Sequence, residues 1–241
     1  PKAVPSVVKG YITFGSFNNF TKVTDSMLGL WREILQRVPA SHLLLKAAAF
    51  DLPVGRQQAE ARLRSQQIDI SRVELRGFSR QYLAEYNDVD IALDTYPYPG
   101  GGTTLDALYM GVPVVTLCGT SHGSRFGGSI LYNAGLPECC TVTAECYIET
   151  AVRLAGDPEL LNLLRKNLRQ MLQHSPLMDA KAYLKDMEAG YRRIWSDYCS
   201  GQGKPSLQDI SRQLPVMKQL AAAEDWRQAA AVADFVWAAR P

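Results

Sequence analysis

Residues 90–116 run DIALDTYPYPGGGTTLDALYMGVPVVT, and few folds can accommodate that order of signals. A short apolar strand signal at 91–93 is followed by a triple glycine, Gly100, Gly101 and Gly102. Thr103 and Thr104 come next and open a helical pattern over 103–110, and a second apolar strand follows at 114–116. Glycine lets a backbone approach another group with no Cβ in the way. The unpaired N–H groups and the positive dipole end of a helix start favour an anion. Two hydroxyls add side-chain donors. Strand, glycine loop, helix and strand in that order is how many α/β proteins hold a phosphate. A plain βα turn with a capping threonine and no ligand has the same local pattern, so this run alone leaves both readings open.

The rest of the chain extends the alternation. Residues 10–16 read as a β-branched, aromatic strand ending in a polar loop over 17–23. Thr24 or Asp25 can cap a helix with Met27, Leu30, Trp31, Ile34 and Leu35 at helical spacing, stopped by Pro39. A strand is expected over 42–49, a polar helix over 55–67, a short strand over 73–76, a short helix over 80–87 and a strand over 89–93. A second glycine-rich loop, 117–128, leads to a helix at about 129–134, and helices follow over 143–155, 157–174 and 179–198. Strands alternating with helices predict an α/β fold with a doubly wound parallel sheet. Such a sheet binds ligands outside the carboxyl ends of its strands. The loops 18–22, 78–82 and 100–106 fall at such ends and form the candidate site. The expected division is a Rossmann-like domain over 1–199 and a linker with a helical extension over 200–241, the extension being two alanine-rich helices at 207–220 and 224–239. Trp31, Trp195 and the helical tyrosines and methionines read as core.

Composition bears on partners. A formal net charge of +2 with 21% charged residues, and no run of lysine and arginine, gives no electrostatic case for nucleic acid. No apolar segment approaches the roughly 18 residues of a membrane span, so no membrane partner is expected. Five cysteines, odd in number and without a CxxC pair, argue against structural zinc and a disulfide framework. The expected setting is a reducing cytoplasm, with Cys139 and Cys140 as small buried residues. The start Pro-Lys-Ala-Val leads us to expect a fragment or a processed product.

Several stretches taken together resemble the family 41 glycosyltransferases, the protein O-GlcNAc transferases and the plant SPINDLY-type proteins. They are LDTYPYPGGGTTLDALYMGVPVVT, SFNNFTKVTDSMLGLWREILQRVP and SPLMDAKAYLKDMEAGYRRIWSDYC. With what lies between them, they carry the likeness over residues 10–199, and the Tyr-Pro-Tyr before the glycines draws it towards the SPINDLY-type branch. The resemblance implies two facing Rossmann-like domains of a GT-B glycosyltransferase, with this chain the C-terminal, nucleotide-sugar-binding one. It implies that Lys22 contacts the diphosphate and supports its departure, with Asn19 nearby. Gly100, Gly101, Gly102, Thr103 and Thr104 would cradle the phosphates, Asp106 would bind ribose hydroxyls and Tyr82 would pack on the base. Beyond the nucleotide sugar, UDP-GlcNAc or GDP-fucose, no cofactor and no metal is implied. The implied partners are a protein acceptor and an N-terminal catalytic half or helical repeats that would carry the general base.

This chain departs from the O-GlcNAc transferases at Gly101, where they carry a histidine beside the threonines. It departs again over 78–82, where it reads Phe-Ser-Arg-Gln-Tyr, so uridine and guanosine donors both stay open. His122 and Arg125 on the second glycine loop fit either a phosphate or sugar contact or a structural role. Asp94 reads as a holder of loop backbone rather than an acid or base. The expected activity is sugar transfer to Ser or Thr hydroxyls. The competing reading is a non-catalytic nucleotide-binding or scaffold module of a larger helical-repeat protein. A third is an asparagine-linked glucosyltransferase of related build.

Overall fold

The computed structural model describes residues 3–200, so the expected linker and the two alanine-rich helices lie outside the described residues, apart from Ser200. Two compact units divide the chain, Pro1–Ala180 and Lys181–Pro241. The first unit opens with α1 (Pro5–Lys9), β1 (Thr13–Ser16), α2 (Asp25–Arg37), β2 (His42–Lys46), α3 (Pro53–Ser65) and β3 (Val73–Arg76). It continues with α4 (Tyr82–Glu85), β4 (Ile91–Leu93), α5 (Gly102–Tyr109), β5 (Val114–Leu117), α6 (Phe126–Asn133), β6 (Cys140–Thr141), α7 (Ala144–Ala155) and α8 (Pro158–Gln173). Helix α9 (Ala180–Ser200) belongs almost wholly to the second unit.

All five strand pairings are parallel, in the order β3-β2-β1-β4-β5-β6. This is the doubly wound order expected of the alternating pattern, and it places the reversal of strand order between β1 and β4. The register there pairs Phe14 with Ile91 and Gly15 with Ala92. Loops leaving the carboxyl ends of β1 and β4 therefore diverge and leave a crevice above the sheet.

Strands buried on both faces read as unbroken apolar runs, and Leu43, Leu44, Ile91, Val114 and Val115 are all buried. Trp31 on α2 is fully enclosed, and its indole N–H donates to the Tyr147 hydroxyl of α7 at 3.1 Å. Tyr147 in turn donates to the Asp94 carbonyl at 2.9 Å, so a hydrogen-bonded relay runs from the helical layer to the end of β4. Asp90, raised above the ordinary carboxylate range by burial, accepts from the backbone of Ser6 and Thr13 and ties α1 to the sheet.

Several boundaries differ from the sequence reading. The expected strand over 42–49 stops at Lys46, because the chain turns into a single 3₁₀ turn at Ala48–Asp51. β6 and α1 carried no legible pattern, having two and five residues. Cys140 is half-buried rather than buried, since its thiol faces Cys118 Sγ at 2.9 Å at the sheet edge. Trp195 on α9 is 67% exposed, contrary to its core reading. That helix buries none of its residues, and Trp195 stacks on Tyr198, one turn away, at 5.7 Å.

Candidate functional site

Two loops meet over the crevice. After β1 the chain forms a 3₁₀ turn at Phe20–Lys22, which Asn19 caps by accepting the Thr21 N–H at 3.1 Å. A capped turn fixes where its last side chain starts. The Lys22 ammonium reaches across to the loop after β4, 3.5 Å from the Pro99 carbonyl and 4.3 Å from the centre of the Tyr98 ring. Asn19 itself is exposed, so its own role in this conformation is the cap.

The loop after β4 is held by Asp94, which is fully buried. Its Oδ1 accepts from Asn18 Nδ2 at 3.0 Å, the Thr95 N–H at 2.9 Å and the Gly100 N–H at 2.6 Å, and its Oδ2 accepts from the Thr116 hydroxyl at 2.8 Å. Burial raises the Asp94 carboxyl above the ordinary carboxylate range, and these four donors pull against that rise. Asn18 completes the tie between the loops. Its Oδ1 accepts from the Thr103 hydroxyl at 2.8 Å.

The three glycines divide into two kinds. A Cβ on Gly100 would fall 2.5 Å from Thr103 Oγ1 and 2.6 Å from Thr104 Oγ1, so this residue is a glycine because its neighbours leave no room. A Cβ on Gly101 or Gly102 would meet nothing within 4 Å. Gly101 stands at the N-cap of α5, and no side chain accepts from the first N–H groups of the helix. Thr104 is buried beneath Gly100, and Thr103 is engaged with Asn18. Of the expected phosphate cradle, Gly101 and Gly102 are the residues with open space beside their Cα atoms.

Asp106 lies one turn further along α5 and is half-buried. Burial raises its carboxyl, and a hydrogen bond from the Tyr82 hydroxyl opposes the rise. The structure thus brings together Tyr82 at the start of α4, 40% exposed, and Asp106 on α5, 24 positions apart in sequence. Beside them is an open cleft of about 170 Å³, walled by Phe17, Ala48, Phe78, Tyr82, Tyr86 and Thr103, with Lys46 at its base. Lys46 is neutralised by Glu85 at 2.9 Å and donates to the Gly77 carbonyl. Tyr86, its ring packed at a tilt against Phe17 at 4.1 Å between ring centres, donates to the Thr103 carbonyl at 3.1 Å and so ties down the start of α5.

His122 and Arg125 are not brought to this cleft. With Phe126 and Ser129 they line a separate depression of about 220 Å³. Three residues of the site carried no separate signal in the sequence: Asn18, Tyr86 and Tyr98. Asn18 sits beside an equally polar Asn19, and the two tyrosines are ordinary core or loop residues until their partners are known. Among the described residues no group of three or more His, Cys, Asp or Glu side chains is arranged to hold a metal ion. No described helix is long and apolar enough to cross a membrane.

Comparison with known proteins covers most of the chain. A family model described as glycosyl transferase family 41 matches residues 5–187. A probable UDP-N-acetylglucosamine–peptide N-acetylglucosaminyltransferase SPINDLY of Solanum lycopersicum is 38% identical over 218 residues, 89% of this chain and 23% of the relative. The UDP-N-acetylglucosamine–peptide N-acetylglucosaminyltransferase of Caenorhabditis elegans is 32% identical over 79% of this chain and 16% of its own length. Among solved structures, a point mutant of Thermobaculum terrenum O-GlcNAc transferase aligns with a TM-score of 0.74 at 39% identity, covering 80% of this chain and 37% of that one. Sucrose-phosphate synthase from Thermosynechococcus elongatus shares the fold at a TM-score of 0.55 and 19% identity. The chain spans about a quarter or less of the length of these curated relatives.

Proposed function

The chain belongs to glycosyl transferase family 41, and from that premise we propose that it is the donor-binding part of an enzyme that moves a sugar from a nucleotide diphosphate to Ser or Thr hydroxyls of a protein. The observation that carries this reading is the Lys22 ammonium reaching the Pro99 carbonyl, two residues before Gly101 at the N-cap of α5, a cap that no side chain occupies and where a Cβ on Gly101 or Gly102 would meet nothing. In such a transfer the bond from the sugar's anomeric carbon to the phosphate oxygen breaks, and the departing diphosphate gains negative charge. A fixed ammonium and helix N–H donors aimed at that oxygen stabilise the charge as it develops. In this reading they do so in place of a metal ion.

Asp106 would then accept from ribose hydroxyls, releasing Tyr82 to pack against the base in the neighbouring cleft. Aromatic rings stack on any base, so this contact does not itself choose the nucleotide. A cleft of about 170 Å³ is smaller than the roughly 300–1,000 Å³ typical of small-ligand sites. That supports a facing wall from another segment, which would also supply the acceptor groove and the base for the acceptor's proton. The donor is UDP-GlcNAc, as in the relatives' names, or GDP-fucose.

Calorimetry of the whole chain with UDP and with GDP, each with and without magnesium, tests the donor site. Binding of one of them, independent of magnesium, is expected. Lys22→Ala should weaken it roughly ten- to hundredfold, the range for a lost charge-assisted hydrogen bond. Failure of both nucleotides to bind would remove the donor-site assignment. Binding without sugar transfer after an N-terminal half is supplied would favour a non-catalytic binding module.

A further inference from the structure

We propose that Tyr98 is a positioning residue for Lys22, holding the ammonium over the face of its ring so that the charge is in place before a diphosphate arrives. The proposal rests on the donor-site reading and extends it to a residue without a role there. A lysine side chain loses up to about 2 kcal/mol of rotamer freedom when it is fixed, so a lysine poised for catalysis needs something to fix it. In this structure Lys22 has two such contacts, the Tyr98 ring at 4.3 Å and the Pro99 carbonyl at 3.5 Å. No acidic side chain pairs with it among the ion pairs of the described residues. A carboxylate would compete with a phosphate for the ammonium. A ring face attracts a cation without cancelling its charge.

The backbone that carries the ring is held in place. The Thr95 hydroxyl, fully buried, donates to the Tyr98 carbonyl at 2.7 Å, and the Thr95 N–H is one of the Asp94 donors. The Tyr98 backbone is therefore tied through one residue, Thr95, to the carboxylate that also holds Gly100. The ring is 59% exposed, a large aromatic surface for a residue with no core to pack. An ammonium has three N–H groups. With one on Pro99 and one over the ring, the third can take a phosphate oxygen without the lysine leaving its seat. Lys22 and the α5 N–H groups would then meet the diphosphate from two sides with no rearrangement of the loop.

The test has one arm that needs no nucleotide. In the chain labelled at the lysine ε-carbon, the Lys22 methylene protons should be displaced upfield by the ring current of Tyr98. That displacement should survive in Tyr98→Phe and disappear in Tyr98→Leu, with the resonance assigned by its absence from Lys22→Met. An unshifted Lys22 resonance in the unaltered chain overturns the proposal.

The second arm is a double-mutant cycle on UDP and GDP affinity. Tyr98→Leu should weaken binding about two- to fivefold, the exposed range for a cation over a ring, and Tyr98→Phe should leave it unchanged. In a Lys22→Met background Tyr98→Leu should have no further effect. An equal loss in that background would mean that the ring touches the ligand itself, and positioning would be wrong. If Lys22→Met alone leaves affinity unchanged, the donor-site role of Lys22 fails, and the resonance arm still decides whether Tyr98 holds the lysine.

Discussion

Replacing Asp94 by alanine removes the acceptor on which both loops of the site converge, and the cost follows from its four donors. Two of them are backbone N–H groups, of Thr95 and Gly100, that have no freedom to turn elsewhere while the loop keeps its path. The Asn18 amide and the Thr116 hydroxyl can rotate and recover part of their loss. A buried donor left unpaired costs about 1–3 kcal/mol, so the two backbone groups set a scale of about 2–6 kcal/mol. Relief of the desolvated carboxylate offsets some of that cost, and a lost side chain in a packed site adds some, giving a net loss of about 3–5 kcal/mol. Asp94→Asn should cost only about 1–2 kcal/mol. Its oxygen can keep the three donors at Oδ1, and its amide can face a Thr116 hydroxyl turned to accept. Urea unfolding of the whole chain measures both, and an alanine variant within about 1 kcal/mol of the parent would refute the reasoning. The pH dependence gives a second check. Burial raises the folded-state value of this carboxyl above the unfolded value of about 3.9. The folded chain therefore holds the proton more tightly, and that contribution is fully present below about pH 3.9 and lost as pH rises through the folded-state value. The stability advantage of the parent over Asp94→Asn should accordingly shrink with rising pH and then level off. An advantage that grew instead would mean that the four donors outweigh desolvation.

Two further substitutions test the geometry around the loop. Gly100→Ala places a Cβ 2.5 Å from Thr103 Oγ1 and should destabilise the fold by roughly 1–3 kcal/mol. Gly102→Ala enters open space and should leave the urea midpoint unchanged while lowering UDP or GDP affinity; equal behaviour of the two variants would remove the division between packed and ligand-facing glycines. At the sheet edge, Gly128→Ala would bring a Cβ within 2.3 Å of Cys118 Sγ and 2.8 Å of Cys140 Sγ, and should lower the melting temperature by several degrees. Cys118→Ala should rescue part of that loss, so a strictly additive double mutant would show that the sulfurs are not the obstacle.

How much of this was legible in the sequence depends on what each signal encodes. The parallel sheet was legible because unbroken apolar runs such as Leu43 to Leu45 can be buried on both faces only between layers of helix. The cap of α2 was legible for a similar local reason: Thr24, one of the two capping residues expected there, accepts the Met27 N–H, a contact set within one turn. β6 was not legible, since two residues carry no period. It forms because Thr116 and Cys140 fall into register once the α6 connection has brought the chain back to β5. The exposure of Trp195 was not legible either, because an apolar stripe on a helix states that a face wants covering and not where a cover lies.

The site shows the same limit at the scale of one residue. Asn18 and Asn19 have equal chemistry and adjacent positions, and family resemblance pointed to the second. The chain bends at Asn18 as it leaves β1, and the two side chains part. One asparagine turns inward to Asp94 and Thr103, and the other outward to cap the turn that carries Lys22. Which does which is decided by Asp94, 76 residues later, whose position is set by the pairing of β4 with β1. The two asparagines consequently serve one end by different routes. Asn18 fixes the loop where the anion would rest, and Asn19 fixes the turn from which the ammonium reaches it. Exchanging their duties would require a slip of one residue in the β1–β4 register, which would also move Gly15, where Val89 leaves no room for a Cβ, out of its place. The core that specifies the sheet therefore also specifies which asparagine is buried and which is exposed.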